Sequence, residues 1–372
     1  MKNTAEKNDV RAVLAELAPR WGDLELAAEN KGATRLDPGI IAGLRDSGVL
    51  KAPLPEALGG WGATLFECCE AMRKLARYAP STALALAMPW GNTAIARLPA
   101  EAIAPGQRAE QRKSSEWVAA AVRAGKILAV ANAEPGSHGD LQQTKSTAKA
   151  DNDRILLSGR KAFATFGPDA DYFLCAARNG DVVDGFFVAR DAKGLTLDSA
   201  WNAWGMRSTA SVGLTLEGAE AASYYGHPGS LSGINARHWS TILFAAVFVG
   251  IGDGALALGA EAVSNEAVWA RGKLAEHALA LDAAWGFVES VAMADGWPFA
   301  ARNLTRAKSA KTFAARSALA AASDGLVVSG SRAYASSGRA GKLIADAMAG
   351  SLLRPPVSHY MDDLVDTLKT RV

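Results

Sequence analysis

Residues 131–145 read A-N-A-E-P-G-S-H-G-D-L-Q-Q-T-K, and residues 158–166 read S-G-R-K-A-F-A-T-F. In the first, Glu134, Pro135, Gly136 and Gly139 predict a turn whose backbone amides are open to an anion or a ring edge, because proline fixes one dihedral and glycine admits close approach. In the second, Phe163 and Thr165 are alternate residues of a predicted strand, so both side chains fall on one face. An aromatic plane beside a hydroxyl suits a flat ligand with a polar edge. Taken alone, both segments also read as ordinary loop and strand.

Outward from this stretch the pattern changes twice. From Ile127 to about Tyr225 polar and apolar residues alternate, with strand-like runs at Asp171 to Ala177, Gly185 to Ala189 and Val212 to Leu216. Asn179-Gly180, Asp184-Gly185 and Lys193-Gly194 read as turns, which predicts a small antiparallel barrel or sandwich over residues 127–228. Before it, residues 1–126 read as helices. Asp37-Pro38 is an N-cap with proline at the first helical position, and Gly48 a C-terminal stop. Thr64 and Glu67 make a capping box for a helix with Leu65, Cys68, Met72 and Leu75 on one stripe. After the barrel, residues 229–372 are Ala-rich and helical over Ile234 to Val263, Val268 to Ala294, Asn303 to Ser329 and Gly341 to Leu353, with a last helix from Met361. The fold class expected is α+β: helices, barrel, bundle.

Composition excludes several functions. With 40 basic and 38 acidic residues and a net charge of +2, no basic stripe marks a nucleic-acid binder. There are three cysteines, and the adjacent Cys68 and Cys69 are unsuited to bridging, so a reducing cytoplasm is expected. The start lacks a signal peptide's apolar core, and the apolar run Ile242 to Ile251 is too short to cross a bilayer. His227, His238 and His277 have no metal-ligand spacing with Asp, Glu or Cys, so no metal is expected. No G-x-G-x-x-G follows a strand into a helix, and no G-x-S-x-G occurs, which argues against a Rossmann site and a serine nucleophile.

Three blocks carry a resemblance: G-V-L-K-A-P-L-P-E-A-L-G-G-W-G at 48–62, the A-E-P-G-S-H-G-D and S-G-R-K-A-F-A-T pair, and W-G-M-R-S-T-A-S-V-G-L-T-L-E at 204–217. In this order, and with a helical final third, the chain resembles the acyl-CoA dehydrogenase family. The resemblance implies FAD, or FMN, lying between barrel and bundle, and a homodimer or homotetramer built on the bundle. It places Asn132, Ala133, Gly139, Phe163 and Thr165 at the flavin ring. There Ala133 stands where the family has a Thr and Phe163 where it has a Trp, while Thr165 is kept. For the pyrophosphate and adenine half, Ala267 falls at the Arg position, with Trp269 or Arg271 as substitutes; Val327 falls at the Gln position and Gly330 is retained, with Arg332 as a further phosphate candidate. On the substrate side stand Arg207 and Ser240.

The family's reaction needs a carboxylate to take the α-proton of a thioester while the flavin takes a hydride. Arg354 stands at the usual Glu position and Ser240 near the alternative one. The L-R-P-P segment is also similar to the reduced-flavin monooxygenase branch, where Leu353 occupies the position of an active-site His and His359 lies six residues on. His138, inside the turn facing the cofactor, and Arg354 are therefore the catalytic candidates. The resemblance leaves three functions open: a dehydrogenase-like flavoenzyme on an acyl thioester or related small molecule, served by an electron acceptor; a monooxygenase supplied by a flavin reductase; and an inactive scaffold.

Overall fold

The structure, a computed structural model, describes residues 9–137, 140–198, 201–233, 237–294, 301–335, 338–353 and 356–369. Helices α1 (Val10–Asn30), α2 (Pro38–Asp46), α3 (Leu65–Ala76), α4 (Pro80–Thr93) and α5 (Arg108–Arg123) come first. Their ends follow the sequence signals. Asp37 accepts from the Gly39 amide at 2.8 Å, and Gly48, just past α2, takes a left-handed φ of 73°. The Thr64–Glu67 capping box closes in both directions, at 3.2 and 2.8 Å.

Seven strands follow: β1 (Leu128–Val130), β2 (Thr147–Asp151), β3 (Arg154–Ala164), β4 (Tyr172–Asn179), β5 (Val182–Ala189), β6 (Leu195–Leu197) and β7 (Val212–Tyr224). The circuit β4-β2-β3-β7-β5 closes on itself through β4–β5, so the sheet is a barrel. Two sequence expectations are corrected here. The barrel is mixed rather than purely antiparallel: β1 runs parallel to β4 with Leu128 opposite Tyr172, and β2 meets β4 in parallel at Thr147 and Arg178. Asp184-Gly185 is no turn but lies inside β5, where a side chain at 185 would come within 2.9 Å of the Tyr225 Cβ; the glycine serves close packing.

Helices α6 (Ser230–Gly233), α7 (Arg237–Ala262), α8 (Val268–Ala292), α9 (Ala301–Tyr334), α10 (Arg339–Leu352) and α11 (Val357–Lys369) complete the chain. The final helix starts four residues before the expected Met361. Helix α7 is the centre, touching α3, α4, α8, α9 and α10. Its apolar stretch, Trp239–Ala262, is longer than the expected run and among the described residues is long and apolar enough to cross a membrane, yet most of it is buried by those neighbours. Ala307, Ala310, Ala314 and Ala318 of α9 are fully buried at helical spacing, which lets α9 lie close to α7. Gly330, with φ 80° and ψ 179°, interrupts α9 just where the periodicity stops.

Barrel and bundle meet at the loop before β7. Gly205 lies flush on α10, where a Cβ would sit 1.9 Å from the Ala345 carbonyl oxygen, and the Met206 amide donates to Asp346 Oδ1 at 2.6 Å. Ser208 donates through both its amide and its hydroxyl to Glu29 of α1. A buried cluster backs these contacts: Lys342 Nζ lies 3.0 Å from Glu25, 2.8 Å from Glu29 and 2.8 Å from Asp346.

Candidate cofactor site

The two stretches that opened the reading are joined at the barrel rim. Ala133 and Phe163 pair in an isolated antiparallel bridge, with the Ala162 amide donating to the Ala133 carbonyl at 2.7 Å. Phe163 remains 55 % exposed although it is aromatic; its ring meets Trp201 edge-on at 6.3 Å, and Trp204 nearby in sequence is 69 % exposed. Exposed aromatic surface of this kind marks a binding face. Thr165 is nearly buried, its hydroxyl 3.0 Å from that of Ser211, which in turn lies 2.8 Å from the Thr209 hydroxyl. Asn132 Oδ1 is enclosed and has no hydrogen-bond partner among the described residues, an acceptor open to a donor. The rim therefore offers a flat apolar face bordered by an amide and a hydroxyl.

Glu134 does two things at this turn. The E-P-G turn forms, with Ser137 N–H donating to the Glu134 carbonyl at 3.2 Å and Gly136 at φ 76°. The Glu134 side chain, however, turns inward to Lys161 Nζ at 2.6 Å, and accepts from the amides of Lys145 at 2.7 Å and Ser146 at 3.1 Å. Burial would raise this carboxyl, but the Lys161 ammonium and the two amides outweigh it and hold the group below its ordinary range. It is a structural anchor for the turn, not a base in waiting. Lys161, fully buried, was legible only as an alternating strand residue.

Other predicted residues are placed separately. Arg271 is exposed on α8 and donates to Asn265 at 3.2 Å; Gly330 sits at the interruption of α9; no described hydrogen bond joins either to the rim. Arg207 is half-buried, with Nε enclosed and unpartnered among the described residues. Ser240 on α7 packs on Gly91, where a Cβ would come 2.3 Å from its hydroxyl. His138, Gly139 and Arg354 lie outside the described residues. His227 bonds Gln111 at 3.0 Å and His277 bonds Asp324 at 2.8 Å, so both have structural partners. No group of three or more potential metal ligands occurs among the described residues.

A residue the sequence did not single out stands beside the Arg354 segment. Lys311 of α9 donates to the carbonyls of Gly350 and Leu353, each at 2.6 Å, and so caps the end of α10 immediately before residue 354. Burial pushes its ammonium down to about 7. The signal was present as a lone lysine within an Ala-rich buried stripe.

Comparison with known proteins agrees with this architecture. The acyl-CoA dehydrogenase N-terminal domain model matches residues 4–104, and the middle domain model matches residues 129–219. The mitochondrial short-chain specific acyl-CoA dehydrogenase of Bos taurus is 26% identical over 279 residues, covering 70% of this chain and 65% of that protein. For the curated relatives compared, the matched part spans between about half and two thirds of their length. Among solved structures, FMN-bound TdsC from Paenibacillus sp. A11-2, a dibenzothiophene monooxygenase, superposes with a TM-score of 0.83 at 22% identity, covering 98% of both chains. Butyryl-CoA dehydrogenase from Megasphaera elsdenii gives 0.82 at 20% identity, covering 99% of this chain and 100% of that one. At these identities the structural likeness is one of fold. With two family models together covering more than half of its residues, the chain belongs to the acyl-CoA dehydrogenase family.

Proposed function

We infer that the protein is a flavin-dependent oxidoreductase acting on an acyl thioester or a related small molecule, with FAD, or FMN, at the barrel rim. The observation that carries this reading is the rim itself: an exposed Phe163 bridged to Ala133, beside Thr165 and the orphaned Asn132 acceptor. These residues fit an isoalloxazine, with Phe163 covering a ring face and Asn132 and Thr165 meeting its polar edge. When bound, the flavin supplies two-electron transfer that no side chain here provides. In this reading Arg207, whose Nε has no hydrogen-bond partner among the described residues, would hold a substrate anion. The division 1–126, 127–228 and 229–372 belongs to this reading, as does a cytoplasmic location, with which the three buried free thiols agree.

The absorbance spectrum of the purified protein, before and after incubation with FAD or FMN, tests it. Flavin bands are expected; no uptake of either would leave the scaffold reading. Thr165→Val removes a hydroxyl at nearly constant volume and is expected to weaken flavin binding by about 0.5–1.5 kcal/mol, seen by fluorescence titration. An unchanged affinity would place the ring elsewhere.

A second reading, a monooxygenase supplied with reduced flavin by a separate reductase, draws on the full-length likeness to TdsC and on the commitment of Glu134 to Lys161. The two readings differ in which redox form of the flavin the site receives. In both, the bundle carries self-association: Trp269, Leu279, Tyr334, Leu352 and Leu368 of its helices are exposed apolar side chains. Sedimentation at micromolar concentration is expected to give a dimer or tetramer, and a monomer alone would refute this.

A further inference from the structure

Among the described residues four that are not glycine hold a left-handed φ, and three of them gather behind Thr165: Phe166 at 70°, Met206 at 52° and Ala210 at 45°. Phe166 and Met206 are also buried, and bulky side chains rarely take this conformation. Residues held this way persist only where the surrounding contacts fix them, and they collect at binding sites.

Part of what fixes them is local. The Phe166 amide donates to the Thr209 carbonyl at 2.9 Å, and the Met206 carbonyl accepts from the Thr209 amide at 3.2 Å, the Thr209 hydroxyl at 2.9 Å and Trp201 Nε1 at 3.4 Å. The rest comes from outside the barrel. The Met206 amide donates to Asp346 Oδ1 of α10, 140 residues on, at 2.6 Å, and the Ser208 amide and hydroxyl both donate to Glu29 Oε1 of α1, at 3.1 and 2.8 Å. Bonds to a charged acceptor are roughly twice as strong as neutral ones. Arg207 therefore stands between two residues tied to distant carboxylates. Thr209, the next residue, has its hydroxyl 2.8 Å from that of Ser211, which lies 3.0 Å from the Thr165 hydroxyl at the rim.

We propose that Asp346 and Glu29 are positioning residues of the flavin site: from the bundle and from the first helix they hold the strained loop 205–211 in the form that carries Arg207 and sets Ser211 behind Thr165. The proposal rests on the flavin reading above and adds to it two buried carboxylates that act through the loop. Without Asp346 nothing charged holds the Met206 amide, and the left-handed turn at 206 is free to relax. Relaxation there moves Thr209 and Ser211 with it, because the Thr209 amide and hydroxyl are both bonded to the Met206 carbonyl.

Two measurements on the full-length protein test this. In hydrogen exchange without flavin, Asp346→Ala is expected to speed exchange at Met206, Ser208 and Thr209 by about tenfold or more, while β3 and β7 keep their native protection. In fluorescence titration with FMN and with FAD, the same variant is expected to bind about tenfold more weakly. Ser208→Ala loses only the hydroxyl's bond to Glu29 and is expected to bind about threefold more weakly; it decides the matter if Asp346→Ala does not fold. Asp346→Asn keeps an acceptor for the Met206 amide and is expected to recover most of the affinity. Asp253→Asn is the control: it weakens the ion pair with Arg73 between α3 and α7, has no described hydrogen bond to the loop, and is expected to lower the unfolding midpoint with flavin affinity unchanged. Native affinity in both Asp346→Ala and Ser208→Ala, or affinity that simply follows the unfolding midpoint through all the variants with the control included, would overturn the proposal and leave the flavin site standing. Absence of binding of either flavin by the native protein would overturn the flavin reading itself, and this proposal with it.

Discussion

Exchanging Lys342 for methionine is expected to lower folding stability by about 3–5 kcal/mol, since it strands buried carboxylates without the one cation they share among the described residues. Glu25, Glu29 and Asp346 are all buried, and Lys342 Nζ lies within hydrogen-bond distance of each. Part of the negative charge is met elsewhere. Glu25 accepts from the Ser81 and Thr82 amides at the first turn of α4, at 3.0 and 2.7 Å, where the helix dipole favours an anion. Asp346 is less well supplied: burial first, then the neighbouring carboxylates, raise it to about 6 in spite of Lys342. Lys342 itself is held well above the ordinary lysine value, because the attraction of Asp346, Glu25 and Glu29 outweighs its desolvation.

The pH dependence follows from these directions. A raised folded value means that Asp346 takes up a proton on folding, so its contribution to stability improves as pH falls from about 6 toward its ordinary 3.8. Glu29 has the opposite sign: burial raises it, Lys342 and the Ser208 and Ser81 hydroxyls lower it further, and its contribution is lost only in more acidic solution. Urea unfolding of native and Lys342→Met proteins between pH 5 and 8 checks this. The deficit of the variant should shrink as pH falls from 8 toward 6, because without Lys342 the Asp346 carboxyl is raised further and protonates before that of the native protein, removing one unpaired charge. A deficit below about 1 kcal/mol at pH 7 would mean that water reaches the cluster.

Acyl-CoA dehydrogenation by the FAD-loaded protein is expected to run about a hundred- to ten-thousand-fold below the rate a positioned base allows. The family resemblance puts Arg354 and Ser240 at the two base positions, and an arginine stays protonated throughout the accessible pH range. Glu134, the carboxylate next to the rim in sequence, is occupied by Lys161 and two amides. Lys311, at the end of α10, donates to the Gly350 and Leu353 carbonyls and brings no carboxylate there either. The assay supplies acyl-CoA substrates of several chain lengths and an artificial electron acceptor, and compares native protein with Arg354→Glu. A gain in the variant is expected; native turnover at ordinary dehydrogenase rates would reveal an unrecognised base.

The order of helices, barrel and bundle was legible because caps and periodicity are local: Asp37-Pro38 and the Thr64–Glu67 box act over a few residues. What escaped depends on contacts between distant parts of the chain. Asp184-Gly185 carries the composition of a turn, and its pairing with β4 and the close approach of the Tyr225 and Leu174 side chains make the glycine a strand residue. Parallel pairing of β1 and β2 with β4 leaves no mark in alternation. Glu134 was read as part of a cofactor-facing turn, yet its partner Lys161 is on β3, where alternation says nothing of an ion pair. The charge cluster draws from α1 and α10 at opposite ends of the sequence. Even so, its members are spaced i,i+4 on each helix, as Glu25 with Glu29 and Lys342 with Asp346, and charge at that spacing on a buried stripe was a usable signal. At the rim, the Ala133 and Phe163 positions were legible through resemblance alone, while the contacts of the Thr165, Ser211 and Thr209 hydroxyls needed the folded structure.

The seam at Gly205 restricts how the molecule can move. With the loop backbone lying directly on the Ala345 carbonyl and pinned through Met206, the barrel cannot slide along α10 without a main-chain clash. Domain rotation by shear is therefore closed off along this edge. A ligand that enters between barrel and bundle is expected to do so without sliding along this seam.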